Sequence, residues 1–129
     1  MNKNAKQDSS LVNFRDALAK LREFVDHVTG SEIERAGVIQ AFEFTYETCW
    51  RALQKLATDQ GLVAASPRQA LQAAFQLGWI RDSEQATWLQ MIADRNLTTH
   101  TYRRKTADLV FDAIVRDYLP AFETLLSRI

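Results

Sequence analysis

Leu11, Phe14, Leu18, Leu21, Val25 and Val28 recur at steps of three and four residues. That spacing lines side chains along one face of an α-helix. It predicts a first helix from about Ser9 or Ser10, stopped by Gly30, a residue that tolerates the left-handed backbone of a helix end. Ser31-Glu32-Ile33-Glu34 follows as a capping box. The Ser31 hydroxyl can accept from the Glu34 amide while the Glu34 carboxylate reaches back. A second helix then carries Val38 or Ile39, Phe42, Tyr46, Cys49, Leu53 and Leu56 on one face. It should end near Asp59, with Gly61 as its left-handed cap. A helix of about 28 residues is about 42 Å long, which for so small a chain predicts a bend or an overhanging end.

Ser66-Pro67-Arg68-Gln69 opens a third helix: Ser66 caps, Pro67 sits where an N–H has no partner to lose, and Gln69 completes the box. Ala70, Leu71, Ala74, Phe75 and Leu77 form its short apolar face, and Gly78 ends it. Asp82 or Ser83 should cap a fourth helix anchored by Trp88, Leu89, Met91 and Ile92. A last helix starts near Lys105 or Thr106 with the stripe Leu109, Val110, Ile114, Tyr118, Phe122, Leu125 and Leu126. Pro120 lies within it and should kink it, because its ring clashes with the carbonyl four residues back. About five helices with short connections predict an all-α, up-and-down helical bundle.

Composition agrees. Only 4 Gly and 2 Pro interrupt 129 residues that are 47% apolar. Such a chain is expected to form one domain, residues 1–129, with residues 1–9 flexible. It buries roughly two thirds of its unfolded surface, enough for a core without staples. The formal net charge is zero, which argues against a uniformly basic nucleic-acid surface; any anion site must be a local cluster. A single cysteine gives no internal disulfide and no zinc spacing. The polar start lacks the apolar stretch of a signal peptide, and no apolar run reaches the ~18 residues of a membrane span. A cytoplasmic protein is therefore expected.

The stretch from Asp94 to Lys105 departs from the core pattern. Leu97-Thr98-Thr99-His100-Thr101-Tyr102 is rich in weak helix formers, so the fourth helix should loosen or end there. Arg95 is permanently cationic and can fork onto two phosphate oxygens. His100 can exchange a proton near neutral pH. Asn96, Thr98 and Thr99 could orient a phosphate or fix the imidazole, and Arg103, Arg104 and Lys105 concentrate positive charge. An arginine and a histidine suffice to cleave RNA without metal: the imidazole activates the 2′-hydroxyl and the guanidinium stabilises charge on the phosphorus oxygens. On an ideal helix Arg95 and His100 stand ~140° apart. They converge only if the helix ends between them, or if a second subunit completes the site. The plainer alternative is an arginine that pairs with an acid or with helix-end carbonyls, beside a histidine bonded only to backbone.

At these residues the sequence resembles the HEPN family (higher eukaryotes and prokaryotes nucleotide-binding domains). Arg95-Asn96-Leu97-Thr98-Thr99-His100 stands as that family's Arg, four to six residues, then His. His100-Thr101-Tyr102 matches the His-X-Tyr extension of a prokaryotic branch. Phe42-Glu43-Phe44-Thr45-Tyr46-Glu47-Thr48-Cys49-Trp50, Ser66-Pro67-Arg68 and Phe75-Gln76-Leu77-Gly78 are similar to the same branch. The likeness runs from about Leu11 to the C-terminus. The short Arg-to-His motif is weak alone and fairly specific with its flanking blocks. The branch was first described as the nucleotidyltransferase substrate-binding protein. The resemblance implies a helical homodimer that binds a separate minimal nucleotidyltransferase in a toxin–antitoxin arrangement. This chain would be the toxin, a metal-independent endoribonuclease with RNA as substrate and no cofactor. The antitoxin would silence it by adding AMP to Tyr102. By position, Arg95 and His100 would be catalytic and Asn96 auxiliary. The alternative is a non-catalytic substrate- or nucleotide-binding subunit of a two-chain nucleotidyltransferase. No DNA or membrane partner is implied.

Glu43 and Glu47, with Arg51 one turn further, place carboxylates on the second helix. They could border the cleft; otherwise Glu47 and Arg51 form an ordinary surface pair. Tyr46 and Trp50 could stack bases, although aromatics at helical spacing more often belong to a core or a dimer interface. Cys49 reads as an inert core thiol. His27 can interact with the end of its own helix. Trp79 and Trp88 flank a turn and are expected to pack together. No Gly-rich phosphate loop and no metal-ligand spacing occur, and the paired carboxylates that hold Mg²⁺ in a nucleotidyltransferase are not evident. Nucleotide transfer by this chain itself is not expected.

Overall fold

The computed structural model describes the backbone of residues 2–129 and the side chains of residues 9–129. Among these residues there is no strand. Helix α1 (Asn2–His27) and α2 (Glu32–Asp59) are joined by a short connection. Then come α3 (Pro67–Gln76), a 3₁₀ turn at Asp82–Glu84, and α4 (Gln85–Leu97). A 3₁₀ turn at Thr98–His100 leads to α5 (Arg104–Ala113), which runs through a π-helical turn, Ile114–Tyr118, into α6 (Leu119–Arg128). With α5 and α6 as one rod, five rods form an up-and-down all-α bundle. The rod α2 packs against α1, α3 and α5, while α6 returns to α1.

Local chemistry sets most boundaries. The Ser31 hydroxyl accepts from the Glu34 amide at 3.1 Å, and Glu34 Oε1 accepts from both the amide and the hydroxyl of Ser31. Thr29 donates to the same oxygen from its amide and its hydroxyl, so the carboxylate draws in the chain that precedes the helix. These hydrogen bonds, those of Thr29 foremost, hold Glu34 below the usual carboxylate range. At the other end Gly61 takes φ +84°, and the Leu62 amide bonds back to Ala57 O at 2.9 Å. That is a Schellman turn, in which a left-handed residue satisfies orphan carbonyls. Gly78 at φ +79° repeats it for α3, with the Trp79 amide on Ala74 O.

Some elements differ from the sequence pattern. α1 begins at Asn2 rather than at Ser9 or Ser10; Ala5, Lys6 and Gln7 are helix formers with no glycine or proline to stop them. The expected flexibility of residues 1–9 falls on a segment whose side chains, through residue 8, lie outside the described residues. Val28 lies just past the end of α1, its amide still reaching Val25 O. Gln69 Oε1 accepts from Ala65, one residue earlier than a capping box requires, while Ser66 caps as expected. Neither Asp82 nor Ser83 caps the fourth helix; Glu84 instead reaches back to the Arg81 amide at 2.8 Å. Leu89 and Leu109 (63% exposed) face solvent. The buried positions of α4 are Trp88, Met91 and Asp94, and those of α5 are Val110 and Ala113, which places Leu89 about 160° and Leu109 about 70° from the centre of the inner face. Leu56 is only half-buried, and Ala57 fills that layer. Pro120 does not break its helix. Its missing N–H and its ring fall against the preceding turn, which widens into the π turn 114–118.

The buried apolar residues form one cluster centred on aromatic rings. Phe42 stacks on Tyr118 with centroids 5.6 Å apart, and Phe122 receives Phe14 and Trp88 edge-on at 6.0 and 5.6 Å. Trp88 thus pairs with Phe122 rather than with Trp79, although both tryptophans line a small cavity of about 220 Å³. Thr45, fully buried, donates to Ala41 O and Ala17 O and so ties α2 to α1.

Candidate functional site

The α4 helix ends at Leu97, where the weak helix formers begin, and the 3₁₀ turn carries the chain round to α5. Just before that end Asp94, 9% exposed, accepts from the hydroxyl of Tyr118 in the π turn and from Gln90 Nε2 at 3.0 Å. Burial, and then the bond to Asp94, push the Tyr118 phenol far above its ordinary value, so it stays a donor. Asp94 and Tyr118 therefore anchor the polar corner to the aromatic core. Sequence reasoning missed this pair: Tyr118 was legible only as one more apolar-stripe residue.

Arg95 projects from the last turn of α4. Its Nη1 donates to Thr98 Oγ1 at 2.8 Å, and its Nη2 lies 3.6 Å from Glu43 Oε2 on α2. Thr98, 7% exposed, donates the same hydroxyl to Arg95 O at 2.7 Å. The guanidinium is thus held from two sides, and the side chain is still 30% exposed. Asn96 and Thr99 are exposed, with Thr99 Oγ1 on Asn96 O at 3.2 Å. His100 is exposed, and its ring meets the edge of the Tyr102 ring at 6.1 Å. Tyr102 is 75% exposed, and the Arg103 guanidinium sits 5.6 Å from its ring centroid. Arg104 and Lys105 are exposed in the first turn of α5. Within one chain, then, Arg95 contacts Glu43 and Thr98 while His100 contacts Tyr102. No hydrogen bond or ring contact joins Arg95 to His100 among the described residues.

Beside this corner a groove of about 480 Å³ runs between the start of α2 and α5. Ile33, Ala36, Ile39 and Ala107 supply its apolar wall; Glu43, Tyr102 and Arg104 lie on its rim. Arg35 reaches Asp108 across it at 3.6 Å.

Glu47 does not join the corner. It accepts from Trp50 Nε1 at 3.1 Å and pairs with Arg51 at 3.2 Å, both on its own helix. Trp50 is occupied by that contact and by Arg51 over its ring. Tyr46 is a core residue, its phenol pushed up to about 12 by burial. Cys49 is buried, and burial raises its thiol well above the ordinary value. His27 Nδ1 lies 2.7 Å from Glu23 O, an interaction with its own helix end. Among the described residues no group of His, Cys, Asp or Glu could hold a metal ion, and no helix is long and apolar enough to cross a membrane.

Fold and site together define a small all-helical bundle with an Arg-to-His-X-Tyr corner beside an open groove. The chain belongs to the family described as nucleotidyltransferase substrate binding protein like, whose sequence model matches residues 9–129. A crystal structure of a protein from Thermus thermophilus is similar to it, 39% identical with a TM-score of 0.82 over 89% of this chain and 97% of that one. No curated protein matches the chain.

Proposed function

We propose that this protein is the HEPN-type partner of a separate minimal nucleotidyltransferase, a metal-independent endoribonuclease toxin silenced by AMP addition at Tyr102. The observation that carries the reading is the exposure of His100 and Tyr102 on one turn, directly after an arginine that the fold holds at the surface. His100 takes the proton of an RNA 2′-hydroxyl. The 2′-oxygen bonds to the adjacent phosphorus and the bond from phosphorus to the 5′-oxygen breaks. A cyclic phosphate and, after protonation by water, a 5′-hydroxyl remain. Arg95 stabilises charge on the phosphorus oxygens, positioned by Thr98 and Glu43, with Asn96 auxiliary. Thr99, Arg103, Arg104 and Lys105 supply polar and cationic contacts to the RNA backbone. In this reading the chain works as a homodimer, as the resemblance implies, with the Arg95 and His100 sets of both copies lining one cleft.

Silencing places a phosphodiester on Tyr102. The tyrosyl oxygen bonds to the α-phosphorus of ATP, pyrophosphate leaves with the bonding electrons, and the phenolic proton passes to solvent. The new anion lies two residues from His100 and beside Arg103, where it competes with RNA phosphate.

The engagement of Arg95 by Glu43 and Thr98 favours one other reading, a binding subunit that presents a substrate or nucleotide to the nucleotidyltransferase and cuts nothing. Unmodified protein, verified by intact mass, incubated with RNA in EDTA separates the two. Cleavage that falls by about 10²–10⁴-fold in His100→Ala supports the nuclease. Intact RNA with the wild-type protein supports the binding subunit.

A further inference from the structure

We infer that the groove between α2 and α5 is the seat of the adenylyl group carried by Tyr102, so that silencing works by occupancy of a built pocket as well as by added charge. The inference rests on modification at Tyr102 as proposed above and names where the nucleotide goes.

Tyr102 is itself part of the groove lining, so a group on its phenolic oxygen starts beside the groove. The volume of about 480 Å³ lies within the range of small-molecule sites and admits one nucleoside monophosphate. The wall is apolar where a base would lie. Ile33, 85% exposed in the first turn of α2, offers an apolar side chain that a base could cover. Gln40 adds an amide that can donate to and accept from a purine edge.

Charge at the rim fits one phosphodiester. Of the groove's charged residues, Arg35 is shared with Asp108 and Glu43 is taken by Arg95. Arg104 has no acidic partner among the described residues and lies next to the tyrosine's neighbour Arg103. A phosphodiester on Tyr102 can engage Arg104, the groove cation with no acidic partner among the described residues. A nucleotide seated here also stands against Glu43, the residue that holds Arg95 at 3.6 Å. It therefore bars RNA phosphate from the arginine as well as from the histidine.

The test co-expresses the full chain with the nucleotidyltransferase and isolates the singly adenylylated form by intact mass. Hydrogen exchange is then compared between modified and unmodified protein over residues 32–43 and 104–110. Seating the nucleotide slows exchange in both segments. In parallel, a phosphodiesterase removes the nucleotide at least about threefold faster from Ile33→Asp or Arg104→Glu than from wild type, because the protected, seated state is less populated. An unchanged mass sinks the Tyr102 reading itself. A protein that gains the AMP-sized step yet shows unaltered exchange in both segments, with equal removal rates, leaves that reading standing and overturns the groove. Should either variant fail to fold or to accept AMP, the wild-type exchange comparison decides alone. Free AMP separates the two sources of the same ligand. The tether supplies an effective concentration near the millimolar range, so free AMP on unmodified protein protects these segments only at comparable concentrations. Equal protection by micromolar AMP reassigns the groove to a free nucleotide.

Discussion

Phe42 and Glu43 are neighbours on α2 and belong to two different regions. Phe42 is fully buried among Tyr118, Phe122 and Tyr46. Glu43 turns outward to Arg95 at the end of α4. The aromatic region is held by many non-directional contacts, each worth little, and its energy scales with area removed from water. The polar corner is held by a few directional contacts around Arg95, and beyond them His100 and Tyr102 stand in solvent. The two meet at one buried hydrogen bond, Tyr118 to Asp94, the residue before Arg95. The contrast teaches a division of labour. The core fixes where the end of α4 lies, and His100 and Tyr102 after it stand exposed to solvent.

Substitutions that touch one region only should break the comparison if it is misdrawn. The largest effect is expected from Phe122→Ala, which opens a cavity where Phe14, Phe42 and Trp88 converge. It should lower unfolding stability by about 3–5 kcal/mol in urea denaturation. His100→Ala, by contrast, should leave the urea midpoint in place while removing cleavage; a large loss of stability there would mean that the corner carries the core.

Tyr118→Phe comes next, because it keeps the ring stack and deletes only the donor to Asp94. It should cost about 1–3 kcal/mol, since a buried carboxylate is left with Gln90 alone. Hydrogen exchange around Arg95 should rise with it, and unchanged exchange there would disprove the link between the two regions.

The smallest effect belongs to a partly exposed pair outside the polar corner. Arg128 donates to both oxygens of Glu84 and to Trp79 O. The hydrogen bonds from Arg128 hold the Glu84 carboxyl below its ordinary value. A depressed carboxyl contributes stability above its unfolded value, near ~4.3, and loses it as pH falls through the lower folded value. Glu84→Gln should therefore lower the melting temperature at pH 7 by no more than about 4 °C, discounted for partial exposure. The gap to wild type should close in acid. A gap that persists unchanged at pH 2 would assign the effect to packing.

Local rules carried much of the fold in the linear chain. The Ser31–Glu34 box, the left-handed ends at Gly61 and Gly78, the Ser66 cap and the loosening after Leu97 all involve groups within five residues of one another. Short-range chemistry of this kind is the same in any tertiary setting. The residue types at Arg95, His100 and Tyr102 were likewise legible, as was their nearness along the chain.

Other features were decided only when the rods packed. Leu89 and Leu109 fit the helical period but face water, because an apolar stripe does not say which partner will cover it. Pro120 reads as a kink, but only the packed chain shows that the turn before it is a π turn that delivers Tyr118 to Asp94. Glu43 and Glu47 look alike one turn apart; only the position of α4 assigns Glu43 to Arg95 and leaves Glu47 to its own helix. The groove beside Tyr102 exists because α5 returns along the start of α2. Sequence by itself determined which helices form and which groups gather near residue 100, since both depend on neighbours along the chain. Tertiary structure decided which of those groups touch, since contacts between distant segments depend on the relative phase and placement of whole helices.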